Sequence, residues 1–411
     1  MATEPASATV TAEDVGRARR AIADVAKLTP VLPSLTRTQR AGGDVALKAE
    51  NLQRTGSFKI RGALNKLAAL GDSCARGVTG GSAGNHAWAL AQAARARGVP
   101  CEVFMPVEAP LSKVEGCKDL GAVVHRGGTS VEECVAAAKE RAREAGMAFV
   151  HPFDDPDVVA GQGTLGLELL DDVPDLAKIV VPVGGGGLAS GVAIAVKSAR
   201  PEVEIVGVQV DTVASYPESL RRGEPVEVSP GLTIADGIAV KRPGQLTLGL
   251  VRRWLDDVVV VPEDDVAEAM VVLMEKAKLV VEGAGAVGVA ALLGGQTAPA
   301  ARGTTVVVLS GGNVDAGLLA SVARRHESQA GRRLVLLTRV PDRPGSLARL
   351  LMLVGEAGAN LIHVEHLREG IDLHVRETAV QITLETRGRE HADEVLRCVS
   401  DAGYVPDVVG G

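Results

Sequence analysis

Short runs of Val, Ile and Leu alternate with longer Ala-rich stretches from about residue 44 to residue 326. The runs are almost continuously apolar, which is typical of strands that are buried on both faces. Six such runs are CEVFM (101–105), AVVH (122–125), IVVPV (179–183), IVGVQV (205–210), VVVVP (258–262) and VVVLS (306–310). Because the stretches between them are long enough for helices, this part of the chain predicts an α/β fold in which helices cover parallel sheets.

The pattern changes after a polar stretch at 327–333, which we expect to be a linker. Predicted strands and helices then follow as strand 334–340, helix 346–358, strands 360–367 and 378–386, helix 389–403 and a closing strand in YVPDVV (404–409). This βαββαβ order predicts a ferredoxin-like domain. The expected organisation is a disordered tail over 1–12, a main domain over 13–326 with a smaller lobe at about 50–155, the linker, and a second domain over 334–411.

Composition and charge argue against several classes of protein. The 411 residues carry a formal net charge of -7, which opposes binding to the phosphates of a nucleic acid. No apolar run approaches the roughly 20 residues of a membrane span, and the N-terminal residues lack the basic and apolar regions of a signal peptide. The five cysteines are odd in number and form no CxxC pair. We therefore expect a cytoplasmic protein with reduced thiols and no metal site.

The segment ENLQRTGSFKIRGA (50–63) contains the first candidate for chemistry. Its middle predicts a helix start with Ser57 as the cap, so Lys59 falls in the first helical turn. The helix dipole and the neighbouring Arg54 and Arg61 favour a neutral amine at this position. A neutral amine is the form that attacks an aldehyde to make a Schiff base. The alternative is a solvated lysine on a helix face.

Two glycine-containing loops predict anion-binding sites. In GVTGGSAGNHAWALAQ (77–92), residues 82–85 lie between a short strand and a helix, where successive N–H groups can bind a carboxylate. Asn85 could also hydrogen-bond a phenolic oxygen. In IVVPVGGGGLASG (179–191), four glycines expose N–H groups with no side chains in the way, an arrangement that binds phosphate. An ordinary capped turn is the alternative for each loop.

The second of these loops also admits a different interpretation. Gly184, Gly186 and Ala189 satisfy the loose GxGxxG/A pattern of dinucleotide-binding proteins. The acid that this pattern requires about 20 residues later is replaced by Gln209, and Asp211 is the nearest carboxylate. A nicotinamide-dependent oxidoreductase is therefore an alternative, although it gives no role to the lysine described above.

The segment VVVLSGGN (306–313) ends a predicted strand at Ser310. Ligands bind at the carboxyl ends of parallel strands, so Ser310 is expected on the same rim as the four glycines. Its hydroxyl could hydrogen-bond a ring nitrogen, and the alternative is a serine that caps a turn.

These motifs together resemble one family. ENLQRTGSFKIRGA, SAGNHA, VVPVGGGGL and LSGGN, in this order, look like the threonine ammonia-lyases and serine dehydratases of the tryptophan-synthase-β-like fold, which is fold type II of the pyridoxal-phosphate enzymes. TIADGIAVKRPG (233–244) and VEGAGAVGVAAL (281–292) are similar to the catabolic threonine ammonia-lyases, and this resemblance covers about residues 12–325. The C-terminal segment resembles an ACT domain through DRPGSLARLL (342–351), GAN (358–360) and LET (384–386).

The resemblance implies a cofactor and the residues that bind it. Pyridoxal 5′-phosphate would be bound by Phe58, Lys59, Asn85, Gly184, Gly185, Gly186, Gly187, Leu188 and Ser310. Among these, Lys59 would bond covalently to the cofactor, the glycines and Leu188 would hold its phosphate, Asn85 its ring hydroxyl, and Ser310 its ring nitrogen. The substrate carboxylate would lie near Ser82, Ala83, Gly84 and His86.

The chain departs from the family pattern at two positions. Trp88 stands where the family usually has Gln, which puts a bulky ring beside the expected substrate. Gln209 stands where many relatives have a Glu that helps to bind a metal in some of them. The lost carboxylate weakens the case for a divalent ion, but not for a monovalent ion held by carbonyls.

The reaction implied is conversion of L-threonine to 2-oxobutanoate and ammonia, with L-serine to pyruvate as a second reaction, at the start of isoleucine synthesis or of threonine degradation. Lys59 would remove the α-proton, and the cofactor ring would hold the developing negative charge. An amino-acid racemase, such as a serine racemase, of the same fold is the alternative. Such racemases carry a Ser at the position of Ala83 as the acid of the second face, and Ala has no proton to give.

The ACT resemblance implies an amino-acid effector. The candidate effector residues are Asp342, Gly345 and Asn360. Because ACT modules usually pair, we expect a homodimer or a homotetramer. A sensor without enzymatic activity is the remaining alternative.

Overall fold

The computed structural model describes residues 9–33, 43–368 and 373–409. The chain forms two compact units, Met1–Val314 and Asp315–Gly411. The division falls before the main-domain limit predicted at residue 326, because the helix Ala316–Gln329 belongs to the second unit. That helix also extends into the segment that was predicted to be a linker.

Helices are numbered here in chain order through the described residues. Those of the first unit are α1 (Ala12–Ile22), α2 (Lys59–Leu70), α3 (Asn85–Arg97), α4 (Leu111–Asp119), α5 (Val131–Ala145), α6 (Pro156–Asp172), α7 (Gly187–Ala199), α8 (Tyr216–Arg222), α9 (Gln245–Trp254), α10 (Glu263–Val272) and α11 (Gly283–Leu293). Part of the tail predicted over 1–12 lies outside the described residues. Its last residues belong to the fold, because Val10 is buried and Thr11 forms a capping box with Asp14 at the start of α1.

The larger sheet of the first unit has six strands. They are β1 (Val31–Pro33), β2 (Val45–Ala49), β7 (Leu176–Pro182), β8 (Glu204–Val210), β9 (Asp257–Val261) and β10 (Thr304–Leu309), in the order β1-β2-β10-β7-β8-β9. All pairs are parallel except β1 with β2. All residues of β2 and all but one residue each of β7 and β8 are buried, which explains their continuous apolar runs.

The smaller sheet lies between β2 and β7 in the sequence. Its strands are β3 (Val78–Gly81), β4 (Cys101–Met105), β5 (Val123–Arg126) and β6 (Ala148–Phe149), all parallel, in the order β5-β4-β3-β6. Leu64, Leu90 and Val103 are fully buried in the core of this lobe. The predicted α/β architecture with two parallel sheets is confirmed.

The second unit consists of α12 (Ala316–Gln329) followed by a four-stranded antiparallel sheet with two further helices. These elements are β11 (Arg333–Pro341), α13 (Ser346–Glu356), β12 (Asn360–Leu367), β13 (Glu377–Glu385), α14 (Arg389–Asp401) and β14 (Asp407–Val408). The sheet order β12-β13-β11-β14 and the βαββαβ succession confirm the predicted ferredoxin-like topology. Leu336, Val380 and Val395 are fully buried between its sheet and helices.

The described part of the chain contains no helix with the length and apolar character needed to cross a membrane. Among the same residues, no cluster of three or more His, Cys, Asp or Glu side chains is arranged to hold a metal ion.

Candidate active site

Lys59 is the first residue of α2, and its amine donates a hydrogen bond of 2.9 Å to the carbonyl of Pro152. The helix start is fixed by the backbone, because the Phe58 N–H donates to the carbonyl of Ser310 at the end of β10. The prediction of Ser57 as the helix cap is wrong. Its backbone pairs with Gly311, and its buried hydroxyl has no hydrogen-bond partner in the described structure.

One cavity collects the motifs that were far apart in the sequence. It is lined by Phe58, Lys59, Asn85, Pro152, Phe153, Gln162, Pro182, Gly184, Gly185, Gly186, Gly187, Leu188, Gly237, Ile238, Glu282, Ala284 and Ser310. All nine residues predicted to bind the cofactor are in this set. Apart from Pro182, which precedes the glycine loop, the other members come from segments to which the sequence analysis gave no chemical role.

Burial lowers the pKa of the Lys59 amine to about 8, and the nearby carboxyl of Glu282 opposes part of this shift. The predicted direction of the pKa shift is correct, but the two arginines that were predicted to contribute to it do not. Arg61 is turned away into ion pairs with Glu50 and Glu168, and the Arg54 side chain donates to a backbone carbonyl. The lysine therefore owes its altered acidity to the cavity rather than to adjacent arginines.

Glu282 is the main charged residue that the sequence analysis missed. It is only 5% exposed, and its Oε1 accepts a hydrogen bond of 2.7 Å from the Asn85 side chain. Burial, with a contribution from Asp236, raises the pKa of Glu282 to about 7, while Asn85 and two lysines oppose the shift. A single acid between Val281 and Gly283, in an otherwise apolar segment, is the signal that could have identified it.

Asn313 connects three of the sequence motifs. Its side-chain nitrogen donates to the carbonyl of Thr55 and to Oδ1 of Asn85, each at 2.8 Å. Asn85 in turn donates to Glu282. A continuous set of hydrogen bonds therefore runs from the segment before Lys59 to the buried carboxyl.

The glycine loop 184–187 requires glycine for steric reasons. Gly186 has a φ of 86°, and a Cβ atom there would collide with the hydroxyl of Tyr216. A Cβ atom on Gly185 would enter the ring of Phe153. In the described structure, the N–H groups of Gly184, Gly185 and Gly186 donate to no protein acceptor. The loop thus offers unused donors at the start of α7, where the helix dipole favours an anion.

Asn85 faces the cavity, whereas the other residues of its motif do not line it in the described structure. Ser82 accepts a hydrogen bond from the N–H of Gly84. His86 bonds the carbonyl of Val150 through Nε2, and burial lowers its pKa to about 3, so its ring is neutral at physiological pH. The predicted contacts of Ser82, Ala83, Gly84 and His86 with a substrate carboxylate stay predictions.

Trp88 does not line the cavity in the described structure. Its indole packs beside Gly116 in α4, where a Cβ atom would lie 2.9 Å from the ring. The bulky ring is therefore accommodated within the smaller lobe by a glycine on the facing helix.

The predicted effector residues are described within the second unit alone. Asp342 forms a two-point ion pair with Arg368, at 2.8 and 3.0 Å, and this contact lowers the pKa of Asp342. Gly345, with a φ of 86°, precedes α13. The strand register places Asn360 beside Glu385, which faces Arg333 at the opposite end of β11 from Asp342. Within a single chain, Asn360 therefore lies at the other end of the sheet from Asp342 and Gly345.

Comparison with known proteins identifies both units. The model of the pyridoxal-phosphate dependent enzyme family matches residues 22–311, and the model of the ACT domain matches residues 334–399. An L-threonine ammonia-lyase of Thermotoga maritima is 44% identical over 402 residues, which cover 98% of this chain and all of that protein.

Solved structures give the same result for the fold. A maize serine racemase has a TM-score of 0.73 at 36% identity, covering 78% of this chain and 98% of its own. A threonine deaminase from tomato, Solanum lycopersicum, has a TM-score of 0.71 at 30% identity, and the match covers 79% of this chain and 98% of that one. The chain belongs to the pyridoxal-phosphate-dependent enzymes of fold type II and carries a C-terminal ACT domain. Its cofactor is pyridoxal 5′-phosphate.

Proposed function

We propose that this protein is an L-threonine ammonia-lyase, which converts L-threonine to 2-oxobutanoate and ammonia and also accepts L-serine. The observation that carries the proposal is the single cavity in which the Lys59 amine, with a pKa of about 8, meets an unused set of N–H donors. The 44% identical relative that carries this name aligns along its whole length, which supports the choice of reaction.

The residues of the cavity fit the cofactor. The Lys59 amine is positioned to bond covalently to its aldehyde, and the N–H groups of Gly184–Gly187 and Leu188 would bind its phosphate. Phe58 lies beside the amine, with Nζ 5.3 Å from the ring centroid, and would pack against the cofactor. Asn85 would bond the ring hydroxyl, and Ser310, at the end of β10, the ring nitrogen.

The bound cofactor supplies an electron sink for the charge that develops at the α-carbon. The remaining steps belong to the protein. Lys59 accepts the α-proton, for which a pKa near the working pH is suited. The β-hydroxyl takes up one proton and leaves as water, which balances the α-proton that Lys59 has accepted. Water later replaces the amino group, and ammonia is released. The N–H groups of 82–85 would hold the substrate carboxylate during these steps.

A serine racemase is the second candidate, because a protein of that name shares the fold at 36% identity. Racemisation needs a proton donor on each face of the α-carbon, and Lys59 provides one. In the loop 82–85, which is expected to hold the substrate carboxylate, Ala83 offers no proton. Elimination is therefore the expected outcome, with D-amino acid as a trace product.

We also propose that the ACT unit binds an amino-acid effector near 342–346. The turn there precedes α13, and the buried hydroxyl of Ser346 has no partner in the described structure. Asp342 would exchange its contact with Arg368 for the ammonium group of a ligand. Pairing of ACT units would make the protein a homodimer or a homotetramer.

We also propose a cytoplasmic location, because the five cysteines are free and a reducing compartment keeps thiols in this form.

Steady-state assays with product analysis test the reaction. L-threonine should yield 2-oxobutanoate and ammonia in equal amounts, and L-serine should yield pyruvate with little D-serine. Ala83→Ser should raise the ratio of racemisation to elimination without loss of cofactor. If the unmodified enzyme forms D-serine as fast as pyruvate, the ammonia-lyase proposal is wrong.

A further inference from the structure

Two buried side chains lie behind the glycine loop, on the side away from the cavity. Gln209, at the end of β8, donates from Nε2 to the carbonyl of Val183 at 3.2 Å. Tyr216, the first residue of α8, donates its hydroxyl to the carbonyl of Gly185 at 3.1 Å. The two are also joined to each other, because Oε1 of Gln209 accepts the N–H of Tyr216 at 2.8 Å. Their exposures are 1% and 0%.

The two carbonyls belong to the same peptide units as two of the unused N–H groups. The carbonyl of Val183 shares a peptide plane with the N–H of Gly184, and the carbonyl of Gly185 shares one with the N–H of Gly186. No peptide bond in the described chain is cis. In a planar trans peptide, the C=O and N–H groups point in opposite directions. A donor that holds each carbonyl from behind therefore turns the N–H towards the cavity.

We propose that Gln209 and Tyr216 are positioning residues that orient the N–H groups of Gly184 and Gly186 towards the cofactor phosphate. Glycine has the widest choice of backbone conformations. Four glycines in succession therefore do not by themselves fix the orientation of their peptide planes, and other groups must fix it. Hydrogen bonds at the carbonyls also polarise the peptides and strengthen the N–H donors. This inference rests on the proposed role of the loop as the phosphate site.

The Tyr216 hydroxyl lies beside Thr247. A Cβ atom on Gly186 would meet both this hydroxyl and Thr247, so Thr247 lies on the same side of the loop. Thr247 bonds Asp154 through both its N–H, at 3.0 Å, and its hydroxyl, at 3.2 Å. Burial raises the pKa of Tyr216, so the hydroxyl keeps its proton and remains a donor. Asp154 is two residues from Pro152, the acceptor of the Lys59 amine. Residues 152–154 therefore contact both the Lys59 amine and the residue beside the glycine loop.

Tyr216→Phe tests the inference because it removes one hydroxyl and keeps the ring. The chain has two tyrosines, and Tyr404→Phe in the ACT unit is the matched control. Affinity is measured by absorbance titration with pyridoxal 5′-phosphate and with pyridoxal, which lacks the phosphate. Tyr216→Phe should weaken binding of the phosphate form about tenfold and that of pyridoxal less than about twofold. The phosphorus-31 resonance of the bound cofactor should also shift.

Equal weakening of both compounds, or unchanged affinities with an unchanged phosphorus-31 resonance, would overturn the inference, since the tyrosine would then act on the fold alone. Gln209→Met is the second variant, and it should show the same preference for the phosphate form if Tyr216→Phe fails to fold. If the unmodified protein binds pyridoxal as tightly as its phosphate, the assignment of the loop itself is wrong. That result differs from the one expected if the loop binds the phosphate but Gln209 and Tyr216 do not orient it.

Discussion

The Lys59 amine is held by one carbonyl, that of Pro152, in a cavity that lowers its pKa to about 8. We expect Lys59→Ala to abolish covalent attachment of the cofactor and nearly all turnover, because no other amine lines the cavity in the described structure. The measurement is borohydride reduction followed by peptide mapping. Lys66→Ala is the control, since Lys66 pairs with Asp155 and Asp157 instead. A label on Lys48 or Lys66 in the unmodified enzyme would contradict the assignment.

Glu282 links protonation to stability, and the sign follows from its pKa. The pKa of Glu282 is about 7 in the folded protein, whereas the ordinary value, which applies to the unfolded chain, is 4.5. Between these values the folded protein binds a proton that the unfolded chain has lost. Folding is therefore disfavoured progressively as the pH rises from 4.5 through 7, by an amount on the order of 3 kcal/mol at its limit.

Glu282→Gln should remove this pH dependence, because the amide stays neutral and can still accept from Asn85. At pH 8 the cofactor-free variant should be more stable than the unmodified protein, and the difference should shrink towards pH 5. Urea unfolding at the two pH values measures it. Glu102→Gln is a control of opposite sign, because hydrogen bonding from Arg141 lowers the pKa of Glu102 and its loss should reduce stability at neutral pH. An unchanged difference at the two pH values would contradict the raised pKa.

At the scale of elements, a buried set of charges fixes the helix that begins at Lys59. Arg61 contacts Glu50 through two hydrogen bonds of 2.8 Å and Glu168 through bonds of 2.5 and 3.0 Å. Lys48 in β2 pairs with Glu168 at 2.7 Å. The four side chains are at most 5% exposed, and their charges balance. They connect α2 to α6 and to the larger sheet.

Removing one member of this set should be strongly destabilising. Arg61→Met should lower the free energy of unfolding by about 3–5 kcal/mol, because it leaves buried carboxylates without their partner. Urea unfolding measures the loss. Arg141→Met is the control, since the pair of Arg141 with Glu102 is 41% exposed on the arginine side and solvent screens it. Equal losses in the two variants would show that burial of the network is not what stabilises α2.

The strands and the order of elements could be predicted because burial on two faces leaves a continuous apolar run. IVGVQV, for example, falls within β8, in which all residues but one are buried. The cap at Ser57 could not be predicted, because a backbone bond from Phe58 to Ser310 replaces it. That bond joins residues that are distant in sequence, and local preferences carry no information on it.

The candidate site was predicted where a motif contains its own chemistry, as at Lys59 and the four glycines. Glu282, Asn313 and Tyr216 were missed because their roles depend on partners far along the chain. Asn313 and Asn85 are 228 residues apart in sequence, and Tyr216 and Gly185 are 31 apart. The pKa of Glu282 arises from burial, which a lone acid in a sequence does not reveal.

At the scale of the whole molecule, the division after Val314 tells where the chain can be cut. A cut before residue 328 would leave most of α12 attached to the first unit, although this helix belongs with the ACT unit. We therefore expect a chain ending at Val314 to be the better truncation. It keeps every residue that lines the cavity and both parallel sheets.

This truncated chain should retain basal elimination of L-threonine and lose any response to isoleucine, valine or another amino-acid effector, because the effector is proposed to bind the ACT unit. The measurement is the rate at sub-saturating threonine with and without each amino acid, for the full and truncated chains. The mass in solution of both chains is measured alongside, since a fall in oligomer size on truncation is expected if ACT units pair. Asp342→Asn in the full chain is the matched point change, and it should weaken the response while leaving basal activity intact. A truncated enzyme that is folded and active yet still responds to the same amino acid would place the effector site in the catalytic unit.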